Sequence, residues 1–197
     1  MALAGCGGVD SPLSCTRWQP RPRFALGSLP LIDLQEHEDA PDQHPLDPIQ
    51  RFIVYNGWNH ERVNDNELTV EIEGRWCAYR IWFGWEGELQ SVMMSCAFDM
   101  RVPDQQLTAV HSLLAYVNER LWVGHFDVFT EEAVPTYRHA LLLGGQDFPH
   151  DEQLADLLDI TISECERFYP AFQYVIWGGK TPEEAVKAAI IDPVGEA

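Results

Sequence analysis

The spacing of hydrophobic and polar positions changes along the chain and predicts an alternation of helices and strands. Apolar residues within 47–57 recur at helical spacing behind Asp47 and Pro48, and Gln50 stands where a capping-box partner belongs. We therefore predict a first helix with Asp47 as its N-cap. Residues 68–73 alternate apolar and polar side chains, which predicts a strand with one face exposed to water.

Two more strands are predicted at 76–85 and 90–100, joined by the short acidic turn Glu86-Gly87-Glu88. Together with strand 68–73 they form an antiparallel three-stranded meander. Alternation puts Tyr79 and its neighbours two residues apart on a core face. The meander is thus expected to bury one face in the core.

The opposite face of the meander is unusually apolar for a solvated sheet. It carries Trp76, Trp82 and Met93, with Arg80 between the two tryptophans. Such a patch is covered either by the chain's own helices or by another chain. The sequence leaves both alternatives open.

Further elements follow in the second half of the chain. A helix is predicted from Pro103 to Gly124, strands at 126–130 and 136–143, and a long helix that begins near Asp151. The predicted order is α-β-β-β-α-β-β-α-α. It indicates an α+β fold with an antiparallel five-stranded sheet, a three-strand meander plus a hairpin, and flanking helices.

The stretch IWGGKTPEEA at 176–185 contains Gly-Lys-Thr, the end of a phosphate-binding loop, but Tyr174 occupies the place of that loop's first glycine. Capping explains these residues better. Thr181 and Glu184 form a capping box around Pro182 at the first helical position. We predict a helix, a glycine stop and a second capped helix rather than a nucleotide site.

Composition divides the chain into three segments. Residues 1–45 are rich in proline and show no sustained apolar period, which is typical of a disordered leader. Residues 46–192 form one α+β domain, and residues 193–197 form a short tail.

The charge of the protein limits its partners. It carries 13 lysines and arginines against 31 acidic residues, a formal net charge of −18. This charge repels phosphate backbones and anionic bilayers, so we expect neither nucleic acid nor membrane as a partner. The acidic run from Asp147 to Glu166 is either a solvated surface or a guide for a basic partner segment.

Cysteine usage predicts a cytoplasmic protein. The five cysteines are odd in number, widely spaced and without a CxxC pair, which favours reduced thiols over a disulfide framework or a zinc site. The residues before Cys6 leave no room for the charged and apolar regions of a secretory signal.

No catalytic set is apparent. Cys96 and Cys165 fall on apolar faces, where a cysteine behaves as a small hydrophobe rather than a nucleophile. His125 and Asp127 share one side of a predicted strand, and His139 could supply a third ligand from the next strand. This set is the alternative hypothesis of a small metal-dependent enzyme; otherwise we predict no cofactor, metal or catalytic residue.

Four stretches carry a resemblance to a known family across residues 47–192. They are Arg51-Phe52-Ile53-Val54, Asn118-Glu119-Arg120-Leu121-Trp122 running into Gly124-His125-Phe126, Arg138-His139-Ala140-Leu141-Leu142-Leu143, and Glu164 to Phe172 followed by Trp177-Gly178-Gly179. In these stretches the chain resembles the bacterial YbjN-domain family of sensory transduction regulators.

The resemblance implies a fold similar to the type III secretion chaperones, an α+β sandwich that commonly dimerises and holds a segment of a client protein. It supplies no catalytic residues to carry over. Together with the apolar sheet face, it favours a non-enzymatic protein-binding module, chaperone-like or regulatory, that forms a homodimer and binds a client or signalling partner. The candidate interface residues are Trp76, Arg80, Trp82 and Met93.

Overall fold

The computed structural model describes residues 44–191. The predicted leader, apart from its last two residues, and the predicted tail lie outside this range. The helices are α1 (Asp47–Tyr55), α2 (Leu107–Asn118), α3 (Asp151–Ile176) and α4 (Pro182–Ile191), with a turn of 3-10 helix at Asp104–Gln106 before α2. The strands are β1 (Asn59–Asn64), β2 (Glu67–Glu73), β3 (Ala78–Glu86), β4 (Ser91–Ala97), β5 (His125–Phe129) and β6 (Val134–Leu142).

The strands form one antiparallel sheet in the order β1-β2-β3-β4-β6-β5. The predicted α+β class and antiparallel sheet are confirmed, but the prediction of five strands is wrong because the sheet has six. The additional strand is β1, whose sequence NHERVN lacks an apolar alternation. As an edge strand that packs little against the core, β1 needs no such pattern, so hydrophobic periodicity does not reveal it.

The start of α1 differs from the prediction. Leu46, fully buried, is the N-cap, and Asp47 is the first helical residue. The Asp47 carboxylate accepts the backbone N–H of His44 at 2.8 Å. Gln50 accepts a hydrogen bond from Arg62 of β1 at 3.3 Å instead of completing a capping box. Asp47 therefore binds the segment before α1, and Gln50 binds a residue of β1, rather than the two forming a cap on the helix.

All four helices contribute buried residues to a single hydrophobic core with one face of the sheet. The predicted core positions Tyr79, Ile81 and Phe83 are fully buried there. An aromatic cluster packs in edge-to-face and tilted contacts at its centre, with Phe126 and Phe172 5.6 Å apart between ring centroids. We call this face of the sheet the inner face.

The end of α3 and the start of α4 confirm the capping interpretation. Gly179 has a positive φ of 63°, which a glycine adopts without steric cost, and it follows the end of α3. Thr181 donates from its hydroxyl to Glu184 Oε2 at 2.7 Å, and the Glu184 N–H donates back to Thr181 Oγ1 at 3.4 Å. Within residues 44–191, no helix combines the length and the apolar character needed to cross a bilayer.

Candidate functional site

The outer face of the sheet, opposite the helices, carries the predicted interface residues Arg80, Trp82 and Met93. Strand alternation and register define its members. They include Glu61, Thr69, Glu71, Arg80, Trp82, Gly84, Ser91, Met93, Ser95, Ala97, His125, Asp127, Thr136, Arg138, Ala140 and Leu142. Trp82 and Met93 are half-buried and belong to no part of the hydrophobic core.

Trp82 lies flat along its own strand because Gly84 leaves room for its ring. A Cβ at Gly84 would stand 2.1 Å from Cη2 of the indole. Gly84 in turn pairs with Met93 on β4. The glycine therefore sets the orientation of the tryptophan and places the indole toward the position of Met93.

Arg138 of β6 holds the other side of Met93. One guanidinium nitrogen donates to the Met93 sulfur at 3.2 Å, and the other lies 3.6 Å from Asp127 Oδ2. The guanidinium carbon stands 5.7 Å from the ring centre of Phe129. Its Nε is buried and has no hydrogen-bond partner within residues 44–191. Asp127 thus offsets the positive charge that Arg138 brings to the outer face.

The outer positions of β4 and of the end of β6 carry no formal charge, and the Arg138–Asp127 pair borders them. The outer positions of β4 are serine, methionine, serine and alanine, and those at the end of β6 are Ala140 and Leu142. Leu142 is 69% exposed. We call these positions of β4 and β6, together with Trp82, the uncharged strip. In a protein of net charge −18, this strip has little charge to desolvate when another surface covers it.

Arg80 stands where this strip meets an acidic border. It is exposed and pairs across the strands with Glu71 and Ala97. An open groove of about 510 Å³ lies beside it on β1 and β2. The groove is lined by Asn59, His60, Glu61, Val63, Thr69, Val70, Glu71 and Arg80.

Trp76 does not share the outer face, and its predicted place beside Trp82 is wrong. It precedes β3, and its indole stacks on Tyr169 of α3 with ring centres 6.3 Å apart. Its Nε1–H donates to the carbonyl of Glu166 at 2.9 Å. Pro170, four residues later in α3, has no N–H for that carbonyl. Trp76 therefore satisfies a helix carbonyl that the proline leaves without its usual donor.

The three residues of the metal hypothesis do not converge. His125 and Asp127 lie on the outer face of β5, whereas His139 adjoins Arg138 on β6 and so points to the inner face. Within residues 44–191, no three His, Cys, Asp or Glu side chains are grouped as metal ligands. Burial lowers the pKa of His139, and the nearby His125 lowers it further. The geometry therefore does not support the three-ligand site.

The three cysteines in the described part of the chain, Cys77, Cys96 and Cys165, lack the features of a nucleophile. Cys96 and Cys165 are fully buried, as predicted, and burial raises the pKa of Cys165, as does its hydrogen bond with Cys96. Burial also raises the pKa of Cys77 to about 12. A thiol with a raised pKa holds its proton at neutral pH and is a poor nucleophile.

Sequence reasoning missed Gly84 and Arg138 as parts of the outer face. A glycine inside a predicted strand commonly marks a close approach, here by the ring of Trp82, and that signal was present. Arg138 carries the one charge among the outer positions of β6. Its contact with Met93 depends on the pairing of β4 with β6, which no local pattern predicts.

Comparison with known proteins places the chain in a family. The family profile of YbjN, described as "Putative bacterial sensory transduction regulator", matches residues 45–174. Among solved structures, the chain is similar to the crystal structure of YbjN, described as a putative transcription regulator, from E. coli. The two share 12% sequence identity with a TM-score of 0.41, over 75% of this chain and 89% of that one. The search of curated proteins gives no match. The matched profile covers more than half of the chain, so this protein belongs to the YbjN family.

Proposed function

We propose that this protein is a non-enzymatic protein-binding module, regulatory or chaperone-like, that forms a homodimer and engages its protein partner through the outer face. The uncharged strip around Trp82 and Met93 carries the proposal, because both side chains lie outside the core. Partly buried aromatic side chains and methionine are enriched where proteins bind one another. The family's description as a regulator supports the same class of function.

Charge supports a protein as the partner. The net charge of −18 disfavours association with nucleic acid and speeds association with a basic protein. Asp127 offsets Arg138 locally, so that apolar contact rather than ion pairing governs the strip. A chaperone-like fold and a cytoplasmic location remain part of this proposal, carried by the sequence resemblance and the cysteine usage.

The proposal is tested by light scattering coupled to size exclusion on the full chain, with Trp82→Asp as the variant. Trp177→Asp is the matched control, because Trp177 is 61% exposed at the end of α3, away from the sheet face. We expect a dimer that Trp82→Asp splits into folded monomers and that Trp177→Asp leaves intact. Far-UV circular dichroism checks that both variants fold.

Two results would count against the proposal. If Trp82→Asp remains folded and keeps the wild-type assembly, the outer face is not the dimer interface. If Trp82→Asp unfolds, Gly84→Ala is a milder probe, because its Cβ displaces the indole of Trp82 without adding a charge. An unchanged dimer in that folded variant leads to the same conclusion.

A further inference from the structure

The two edges of the sheet differ in whether their backbone groups are available. At the β5 edge, the side chain of Asn118 donates to the carbonyl of Phe126 at 3.0 Å and accepts its N–H at 2.7 Å. Two residues along, the N–H of Val128 donates to Asp127 Oδ1 at 2.8 Å. The amide of Asn118 thus takes the place that a neighbouring strand would occupy, and this edge is blocked.

At the β1 edge, among residues 44–191, no side chain takes the place of a neighbouring strand along Asn59–Glu61. Protection is confined to the end of the strand, where the register shifts and Arg62 Nε donates to the Asn64 carbonyl at 2.9 Å. Every residue of β1 is exposed except Arg62, which is partly buried. Among the described residues, β1 pairs only with β2. Alternate residues of an antiparallel edge strand direct their N–H and C=O groups away from the sheet. The open edge of β1 therefore presents backbone donors and acceptors that another extended chain can use.

The outer-face side of this edge is acidic. Glu61 pairs with Thr69 on β2, and Glu71 stands beside it on the same face. Both glutamates line the groove of about 510 Å³ that adjoins β1; Arg80 lies opposite Glu71 on the β3 side of the groove, and Glu61 is the carboxylate on the edge strand itself. In an added strand, a side chain opposite Glu61 would have its Cβ about 5 Å away, so that opposite charges there would attract.

We propose that β1 receives an extended segment of another protein as a seventh strand of the sheet; this inference rests on the proposed protein-binding function. The segment carries lysine or arginine at every second position, so that these side chains lie over the groove lined by Glu61 and Glu71. Backbone hydrogen bonds to β1 supply affinity, and the glutamates select basic side chains. A second copy of this chain fits less well, because symmetric antiparallel pairing centred on Glu61 would bring like charges together.

The test uses the full chain labelled with nitrogen-15 and a blocked peptide of about six residues that alternates lysine and valine, a length typical of one strand. Two control peptides separate the contributions. One is N-methylated at its central residues, which removes backbone donors but keeps the charge. The other has glutamate in place of lysine, which keeps the backbone but reverses the charge.

We expect the lysine peptide to shift amide resonances mainly in residues 59–64. N-methylation of the peptide should raise its dissociation constant about tenfold, because several backbone hydrogen bonds are lost. Glu61→Lys should weaken binding of the lysine peptide and favour the glutamate peptide. Glu88→Lys makes the same charge change in the β3–β4 turn and should have little effect.

Equal binding of the N-methylated peptide would overturn strand addition, since simple charge attraction would then suffice. Shifts confined to β3 and β4 would also overturn it, while supporting the outer face as the proposed interface. Absence of binding by the lysine peptide would reject this inference alone. The proposed function is judged separately by the assembly of Trp82→Asp.

Discussion

Replacing Trp76 by phenylalanine removes the indole N–H that reaches the carbonyl of Glu166, while keeping an aromatic ring to stack on Tyr169. The carbonyl has no donor in Pro170, so the loss leaves it dependent on water. Trp76 is 36% exposed, which allows water to approach. The expected loss is therefore about 1 kcal/mol of unfolding free energy, within the usual range for one hydrogen bond.

Repeating Trp76→Phe in a Pro170→Ala background tests whether the indole N–H matters because Pro170 leaves the Glu166 carbonyl without a helix donor. The alanine introduced there supplies the missing N–H, so the Glu166 carbonyl gains a helix donor and depends less on Trp76. We expect the cost of Trp76→Phe to fall by about 0.5 kcal/mol or more, which is the coupling energy of the pair. The cycle cancels the separate effect of removing the proline ring.

Urea unfolding followed by far-UV circular dichroism measures all four proteins without relying on tryptophan emission. Trp177→Phe, in the same two backgrounds, is a control at an exposed tryptophan of α3's end and should show no coupling. If Trp76→Phe costs the same in both backgrounds within about 0.3 kcal/mol, the indole does not compensate for the proline.

Three further substitutions test other parts of the structure. Gly124→Ala should lower the free energy of unfolding by about 2–4 kcal/mol, because φ is +66° and a Cβ would stand 2.3 Å from the Tyr137 hydroxyl. Gly57→Ala is the control, because Gly57 also has a positive φ but open space around it, and it should cost less. Equal losses in urea unfolding would contradict the steric explanation. Asn118→Ala should speed hydrogen exchange at the amide of Phe126, and unchanged exchange would refute blocking of the β5 edge. The pKa of His139 in the folded protein lies below its ordinary 6.5, so its contribution to stability is present above pH 6.5 and is lost as pH falls through the folded pKa. His139→Gln should therefore flatten the plot of unfolding free energy against pH in this range. An unchanged slope would contradict the prediction.

The sequence predicted those elements whose signals are local. The capping box of Thr181 and Glu184 formed as expected, because Thr-x-x-Glu satisfies helix donors within one turn. The inner face of β3 followed from alternation, because burying Tyr79 and Ile81 requires a period of two. In contrast, β1 was missed, because a polar edge strand is held by backbone hydrogen bonds to β2 rather than by an apolar face.

What the sequence by itself determined is the α+β class, the inner face of the sheet, the capped start of α4 and the acidic character of the protein, since each depends on neighbours along the chain or on composition. The place of Trp76 was decided only by tertiary structure, because its donor meets a carbonyl 90 residues away. The same holds for the contact of Arg138 with Met93 and for the blocked β5 edge. Hydrogen bonds between distant segments depend on how the elements pack, and no local pattern specifies that packing.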